Sequence, residues 1–120
     1  PTLTLWGDGS PTREFLYVED AAEGILLAAE HYNGELPVNL GTGEEVSIRN
    51  LATMIAAEAG FTGQIAWDIT KPNGQPRRCL DVSRAKELFG FQARHTLREG
   101  LKKTVEWFHA NRKSLREVRF

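Results

Sequence analysis

Two segments of the chain carry residue types that suit an anionic ligand bearing a ring. In the first, Trp6 ends an alternating apolar run and Arg13 follows a glycine-containing loop. A tryptophan offers a flat stacking surface, and an arginine offers a planar fork of donors that matches phosphate oxygens. Loops after strand ends are where α/β proteins place ligand contacts. The more common roles stay open: Trp6 in the core, and Arg13 paired with Glu14 or Glu19 at the surface.

The second segment reads KPNGQPRR, residues 71–78, and places Lys71, Arg77 and Arg78 around a turn. Cations at a turn stiffened by proline suit a diphosphate, because proline limits the entropy that the loop loses on binding. The alternative is a solvated basic loop. Together the two segments favour a nucleotide more than either does alone, since one supplies a ring surface and both supply arginine.

The other reactive residue types form no pattern of an active site. His31, His95 and His109 lack the spacing of metal ligands and are expected to be structural or solvated. Cys79 lies in an apolar step and is expected to pack rather than react. The turn at residues 41–43 is followed by carboxylates, so a phosphate-binding loop is not expected there. We therefore predict no catalytic residue, cofactor site or metal ligand, and a chain that binds a ligand without transforming it.

Composition predicts one ordinary globular domain over residues 1–120. The chain is 41% hydrophobic and 26% charged, which is typical of such domains. Its net charge of −1 gives no field that favours nucleic acid or an anionic membrane, and no apolar run is long enough to span a bilayer. Partners of those two classes are not expected. A lone cysteine excludes an internal disulfide and favours a cytoplasmic location.

Alternation and turn residues predict a small sheet of short strands in an α/β fold. The predicted strands cover residues 2–6, 14–18, 38–40 and 64–67, and the second is expected to be largely buried. Proline excludes residues 71–78 from a helix or a central strand. A thin sheet of this kind indicates a fold with about four helices around it.

Capping residues predict where those helices begin and end. The first is expected to be capped by Asp20 and to end at residues 33–34, and the second to begin after Ser47 and stop at Gly60. The third covers residues 83–89. The fourth opens with a capping box of Thr96 and Glu99, and the segment 111–120 is expected to fray.

Apolar periodicity predicts which face of each longer helix packs inward. The expected inward residues are Ala22, Ile25, Leu26 and Ala29 in the first helix, Ile48, Leu51, Ile55 and Ala59 in the second, and Leu97, Leu101, Val105 and Phe108 in the fourth.

Four motifs, taken in order, resemble a known family. They are WGDGSPTREFLYVEDAA, VNLGTGEEVSIRNLA, KPNGQPRRCLDVSRAKELFGF and TLREGLKKTVEWF. This series resembles the C-terminal, substrate-binding part of extended short-chain dehydrogenase/reductases of the NAD-dependent epimerase/dehydratase family, which act on nucleotide sugars. The R-E-F-L-x-V-x-D pattern is shared across that superfamily. The K-P-x-G-x-P-R pattern is more specific and resembles the GDP-L-fucose synthase branch.

The resemblance implies roles for individual residues. Trp6 and Arg13 would contact a GDP-sugar, with Arg13 on the diphosphate, and Lys71, Arg77 and Arg78 would support them. Asn73 stands where the family has an aspartate that contacts substrate, and it keeps an acceptor oxygen without the charge. The family's NADP(H)-binding Rossmann domain and its hydride-transfer and acid/base residues match nothing in this sequence. The resemblance therefore implies a nucleotide-sugar-binding portion that is not catalytic alone.

Two other interpretations stay open. The chain could be a free-standing, non-catalytic module that binds nucleotide or self-associates through a surface that a Rossmann domain would otherwise cover. It could also be the same portion of a sibling epimerase or dehydratase that uses a different nucleotide. The sequence does not fix the sugar or the oligomeric state.

Overall fold

The computed structural model describes residues 1–115, in which short strands are interspersed with helices. The strands are β1 (Thr2–Trp6), β2 (Thr12–Arg13), β3 (Val46–Ser47), β4 (Gln64–Asp68) and β5 (Arg77–Arg78), and the helices are α1 (Val18–His31), α2 (Ile48–Glu58), α3 (Ser83–Phe89) and α4 (Leu97–Asn111). Four helices and short strands confirm the predicted fold class. The expected fraying of segment 111–120 falls partly outside the described residues.

The strands form two small sheets rather than one. β1 and β4 pair in parallel, from Thr2 opposite Gln64 to Trp6 opposite Asp68. The second sheet has the order β3-β2-β5, with β2 antiparallel to β3 and parallel to β5. β5 is an edge strand, which agrees with the exclusion of residues 71–78 from a central position.

Two predicted strands are wrong. Residues 14–18 are not a strand, since β2 ends at Arg13 and α1 begins at Val18. Residues 38–40 lie outside the strands as well. Side chains in both segments bond to backbone groups that are distant in the chain, such as Asn39 Nδ2 to Asp81 O at 3.3 Å. Glu14, for example, accepts hydrogen bonds from backbone amides of two separate loops.

Helix α1 presents the opposite face from the one that periodicity predicts. Ile25 and Leu26 are 61% and 63% exposed, whereas Asp20 and Gly24 are buried. A Cβ atom at Gly24 would lie 3.0 Å from side-chain atoms of Leu40 and Phe91, so the missing side chain is what lets this face approach the core. The predicted cap is also wrong, since the N-cap is Tyr17 and Asp20 lies within the first turn.

A small apolar core lies between α1 and α3. Ala85, Phe89 and Phe91 are buried, and α3 closes at Gly90, whose φ of 68° is readily adopted by glycine. The partly buried residues packed against this core are Leu16, Leu27, Ala28, Tyr32, Val38 and Leu40. The predicted span of α3, residues 83–89, is confirmed.

Helices α2 and α4 contact each other and begin where the sequence predicts. Ser47 caps α2 by accepting the Asn50 amide at 3.1 Å, and Thr96 forms the predicted capping box with Glu99. The inward face is only partly as expected. Ile55 and Phe108 are 41% and 44% exposed, so each helix loses contact towards its C-terminal end.

Candidate functional site

Trp6 lies at the surface, beside Lys71. The indole is 68% exposed at the end of β1, and Lys71 Nζ lies 5.7 Å from its ring centroid. This distance is within the range of a cation–π contact. The alternative of Trp6 as a core residue is therefore wrong, and a large aromatic face beside a cation is left open to solvent.

Asn73 joins the loop at residues 71–76 to the loop at residues 7–11. Its Oδ1 accepts the Asp8 amide at 2.8 Å. Gly7 has a φ of 79°, and a Cβ atom there would lie 2.0 Å from Asn73 Oδ1. Glycine is therefore required for this contact. The Asn73 side chain is thus engaged within the protein: its oxygen accepts the Asp8 amide, and it also bonds to the Asp8 carboxylate.

Arg49 and Trp67 hold the loop at residues 7–11 in place. The Arg49 amide donates to Gly9 O at 2.9 Å, its guanidinium lies 4.8 Å from the Trp67 ring centroid, and the same side chain donates to Asp8 O. A Cβ atom at Gly9 would lie 2.6 Å from the Trp67 ring. These contacts hold the loop rigidly between Trp6 and β2. The sequence carries no local signal for Arg49 or Trp67, because each acts through a partner distant in the chain.

Asp8 keeps its carboxylate ionised in this loop. Hydrogen bonds from the Ser10 hydroxyl and amide, and a weaker one from Asn73, lower the pKa of Asp8. The Ser10 amide donates at 2.8 Å. The carboxylate thus stabilises the turn, with its charge offset by local donors.

Arg13 and Arg78 lie in register on adjacent strands. β2 and β5 are parallel, with Thr12 opposite Arg77 and Arg13 opposite Arg78. Arg13 is half-buried and donates to Thr12 O at 2.6 Å. Within residues 1–115 neither Arg13 nor Arg78 forms an ion pair, so the expected alternative of Arg13 paired with Glu14 or Glu19 is wrong.

Arg77, in contrast, is paired with a carboxylate. Its Nη2 donates to Glu45 Oε2 at 2.7 Å and its Nε donates to Oε1 at 2.9 Å. Glu45 in turn holds Thr12 Oγ1 at 2.7 Å. These bonds lower the pKa of Glu45, with Arg77 as the largest cause. The three cations of the KPNGQPRR segment are therefore separated: Lys71 lies beside Trp6, Arg77 is paired with Glu45, and Arg78 lies next to Arg13.

The glycine turn at residues 41–43 is occupied by a carboxylate of the protein itself. Glu14 Oε2 accepts the amides of Thr42 and Gly43 at 3.0 and 2.7 Å, and its Oε1 accepts the Leu80 amide at 2.7 Å. These are the amides that a phosphate would need. The structure thus agrees with the expectation that this turn does not bind phosphate.

A second polar cluster joins α1 to α4. Asp20 is 1% exposed and accepts the His95 amide at 3.0 Å, while His95 Nδ1 lies 2.9 Å from Asp20 Oδ1. His95 Nε2 lies 3.1 Å from Lys103 Nζ, which also donates to Glu19 Oε2 at 3.2 Å. His95 is thus a structural residue, as expected. Its buried partner Asp20 could not be found from the sequence.

An apolar cavity of about 360 Å³ lies beside that cluster, between residues 15–18 and α4. Its walls include Phe15, Leu97 and Leu101. His95 reaches this cavity, but both of its ring nitrogens already face Asp20 and Lys103. The cavity therefore does not match the anionic ligand that the sequence indicates.

Cys79 is half-buried, with its Sγ 3.7 Å from Gly43 O. Burial and the nearby charges of Glu14 and Glu45 raise the pKa of the thiol, which disfavours the reactive thiolate. Over residues 1–115, no group of three or more His, Cys, Asp or Glu side chains is arranged to hold a metal ion. No helix in the same range is long and apolar enough to cross a membrane.

Comparisons with known proteins agree with the resemblance in the motifs. The profile of the NAD dependent epimerase/dehydratase family matches residues 2–41. A probable GDP-L-fucose synthase 1 from Oryza sativa subsp. japonica is 41% identical over 109 residues, which are 91% of this chain and 33% of that protein.

Solved structures show the same fold. A GDP-L-fucose synthetase from Naegleria fowleri bound to NADP superposes with a TM-score of 0.89 at 32% identity, over 97% of this chain and 37% of that one. A UDP-glucose 4-epimerase from Thermotoga maritima with UDP-glucose gives 0.83 at 30% identity, over 92% of this chain and 35% of that one. The chain therefore spans about a third of the length of the relatives it matches.

Proposed function

Because this chain is related in sequence and fold to part of the NAD dependent epimerase/dehydratase proteins, we propose that it binds the nucleotide of a nucleotide sugar. The enzyme type it fits best is GDP-L-fucose synthase, with a GDP-4-keto-6-deoxymannose-like substrate. The observation that carries the proposal is the arginine pair. Arg13 and Arg78 lie in register without an acidic partner in residues 1–115, although like charges on adjacent strands repel each other.

A bound diphosphate would offset the repulsion between the guanidinium groups of Arg13 and Arg78. Its oxygens can accept donors from both guanidinium groups, and charge-assisted bonds of this kind are about twice as strong as neutral ones. Arg13 contributes a half-buried cation, which is screened less by solvent than Arg78 at the edge strand. We therefore assign the main diphosphate contact to Arg13, with Arg78 in support.

Trp6 and Asn73 would contact the rest of the ligand. The exposed indole of Trp6 offers a stacking face, and Lys71 beside it adds a cation. Asn73 is fixed by its bond to the Asp8 amide, which sets the place where its side chain would meet the ligand. We assign Arg77 no direct part in binding, because its Nε and Nη2 are paired with Glu45.

The chemistry of such an enzyme would come from elsewhere in a full-length protein. In the proposed arrangement, residues 1–120 form one nucleotide-sugar-binding domain, and NADP(H) and the hydride-transfer groups belong to a separate Rossmann domain. The Naegleria relative bound to NADP is almost three times the length of the part matched here. The exposed apolar face of α1, with Ile25 and Leu26, is a surface that such a domain would cover.

Calorimetric titration of the 120-residue chain with GDP, UDP and dTDP tests the proposal. GDP is expected to bind most tightly, and Arg13→Ala is expected to weaken it by about 10- to 100-fold, equivalent to ~1.4–2.8 kcal/mol. Arg98→Ala is the matched control, since Arg98 is an exposed arginine on α4 and belongs to neither loop. Equal GDP affinity in Arg13→Ala and wild type would overturn the assignment.

The same titration separates the sibling interpretation. Tighter binding of UDP or dTDP than of GDP would place the chain with the epimerases, as its likeness to the Thermotoga protein allows. NADPH is expected not to bind to this chain, and light scattering would report self-association through the α1 face. A self-associating chain that binds none of the three nucleotides would favour a non-catalytic module.

A further inference from the structure

The Glu45 side chain contacts both β2 and β5 of the β3-β2-β5 sheet. It precedes β3, accepts Thr12 Oγ1 from β2, and accepts both Nε and Nη2 of Arg77 from β5. The Glu45 side chain is 24% exposed, whereas that of Arg77 is 71% exposed. The carboxylate thus lies close to the sheet, and Arg77 folds over it.

Strand alternation places the remaining arginines on the opposite face. Successive side chains of a strand point to opposite faces, and residues in register on neighbouring strands share a face. Thr12 is in register with both Arg77 and Ser47, and the contacts of Glu45 show which face they share. The next pair in register, Arg13 and Arg78, therefore lies on the other face together with Val46.

These strands are too short to hold this arrangement by their ladder alone. β2, β3 and β5 have two residues each. Arg13, Arg77 and Arg78 bring three positive charges to two of them, and like charges opposite each other destabilise a sheet. A bidentate carboxylate is the usual way to fix an arginine in one geometry. Glu45 offsets one of the three positive charges and keeps Arg77 on the face of the sheet opposite Arg13 and Arg78.

We infer that Glu45 is a positioning residue: by holding Arg77 and Thr12 on one face, it keeps Arg13 and Arg78 together on the other as a clamp for a diphosphate. This inference rests on the proposed function. Glu45 itself does not touch the ligand, and neither does Arg77. Their contribution is the register and orientation of β5 against β2, which the backbone supports through the Thr12 amide and Pro76 O at 3.0 Å.

Glu45→Gln tests the inference, because glutamine keeps the size of the side chain and removes its charge. Affinities for GDP and for guanosine are measured by calorimetry in the 120-residue chain. GDP binding is expected to fall about tenfold, or ~1.4 kcal/mol, while guanosine binding stays unchanged, since guanosine lacks the diphosphate. Glu44→Gln is the matched control: the neighbouring carboxylate forms no ion pair within residues 1–115. It is expected to leave both affinities unchanged.

A spectroscopic readout follows Arg77 itself. The Nε–H proton of Arg77, engaged by Glu45, is expected to exchange slowly with water in the wild type and fast in Glu45→Gln. Thr12→Val removes a single hydrogen bond to Glu45 and is expected to weaken GDP binding in the same direction, by about two- to threefold. This variant serves if Glu45→Gln does not fold.

Each outcome decides a different point. Unchanged GDP affinity in Glu45→Gln, with weakened binding in Arg13→Ala, would overturn the positioning role and leave the proposed function in place. Equal losses for GDP and guanosine would also overturn it, because a general loss of structure would explain them. A wild-type chain that binds guanosine and GDP equally would overturn both the clamp and the proposed function.

Discussion

Two clusters of charged residues in this molecule are built in opposite ways. The Asp20–His95 cluster joins α1 to α4, and each of its charged groups meets a partner within the chain. The Arg13–Arg78 pair lies in register on β2 and β5, and neither cation has an acidic partner in residues 1–115. A cluster that satisfies itself contributes to the fold. A cluster that leaves like charges side by side is suited to a ligand of the opposite charge.

The difference extends to burial. Asp20 is 1% exposed, so an unpaired charge there would be strongly unfavourable. Arg78 is exposed and Arg13 half-buried, so water can solvate both cations without an acidic partner. We therefore expect substitutions in the Asp20–His95 cluster to lower stability and leave nucleotide affinity unchanged. Substitutions in the Arg13–Arg78 pair are expected to lower nucleotide affinity with little effect on stability.

The largest expected effect is on stability, from Asp20→Asn. It removes the charge that accepts bonds from the His95 amide and faces its ring, and such bonds to a charged group contribute about 1.5–3 kcal/mol each. The free energy of unfolding in urea is expected to fall by about 2–3 kcal/mol. GDP affinity, measured where both proteins are folded, is expected to stay the same. A selective loss of GDP affinity would break the contrast between the two clusters.

The free energy of unfolding in acidic solution provides a second test of Asp20. Burial acts to raise the pKa of Asp20, but hydrogen bonds from the side chain and amide of His95 outweigh it and hold the pKa below its usual range. A carboxyl with a lowered pKa stabilises the fold fully above its unfolded pKa and loses that contribution as pH falls through the folded value. The stability of wild type and Asp20→Asn is therefore expected to differ most above about pH 4 and to converge in more acidic solution. A constant difference would contradict this.

An intermediate effect is expected from Gly7→Ala, which should lower both the free energy of unfolding and the affinity for GDP. Positive φ is strained for alanine by about 1–2 kcal/mol, and the new Cβ atom would also displace Asn73. Gly74→Ala is the matched control, because its φ is 77° and nothing lies within 4 Å of its added Cβ atom. Both variants are expected to lose stability in urea, and Gly7→Ala alone to lose GDP affinity. Equal GDP affinities would show that Asn73 does not contact the ligand.

The smallest expected effect is a gain. Arg78→Gln removes one of two like charges in register, so the melting temperature is expected to rise slightly while GDP affinity falls. The gain should shrink at high salt, because salt screens the repulsion between exposed charges. A lower melting temperature in Arg78→Gln would show that another group offsets the repulsion between Arg13 and Arg78.

Local signals predicted the second half of the chain well. The span of α3 and the capping box of α4 depend on residues that lie within a few positions of each other, such as Thr96 and Glu99. The β1 and β4 strands were also found from alternation, since their pattern is carried by the strand itself. The resemblance to the epimerase/dehydratase family came from motifs of the same local kind.

Distant partners explain what the sequence could not show. Asp20 resembles a helix cap, but its partner His95 is 75 residues away and draws it into the protein. That contact, together with Gly24, turns the apolar stripe of α1 outward. Glu45 is likewise 32 residues from Arg77, so no spacing rule connects them. Which of three cations would be left without a partner is a property of the folded sheet.

The parallel pairing of β1 with β4 dictates how this chain can reach its folded state. Thr2 lies opposite Gln64, so the first strand cannot pair until more than half of the chain has been brought back to it. Contacts between such distant residues slow folding, because the entropy of closing the loop is lost before the contacts form. The helices α3 and α4, which depend on local signals, can form earlier. The segment from Trp6 to Arg13 is therefore expected to reach its folded conformation late, when β1 and β2 have both paired.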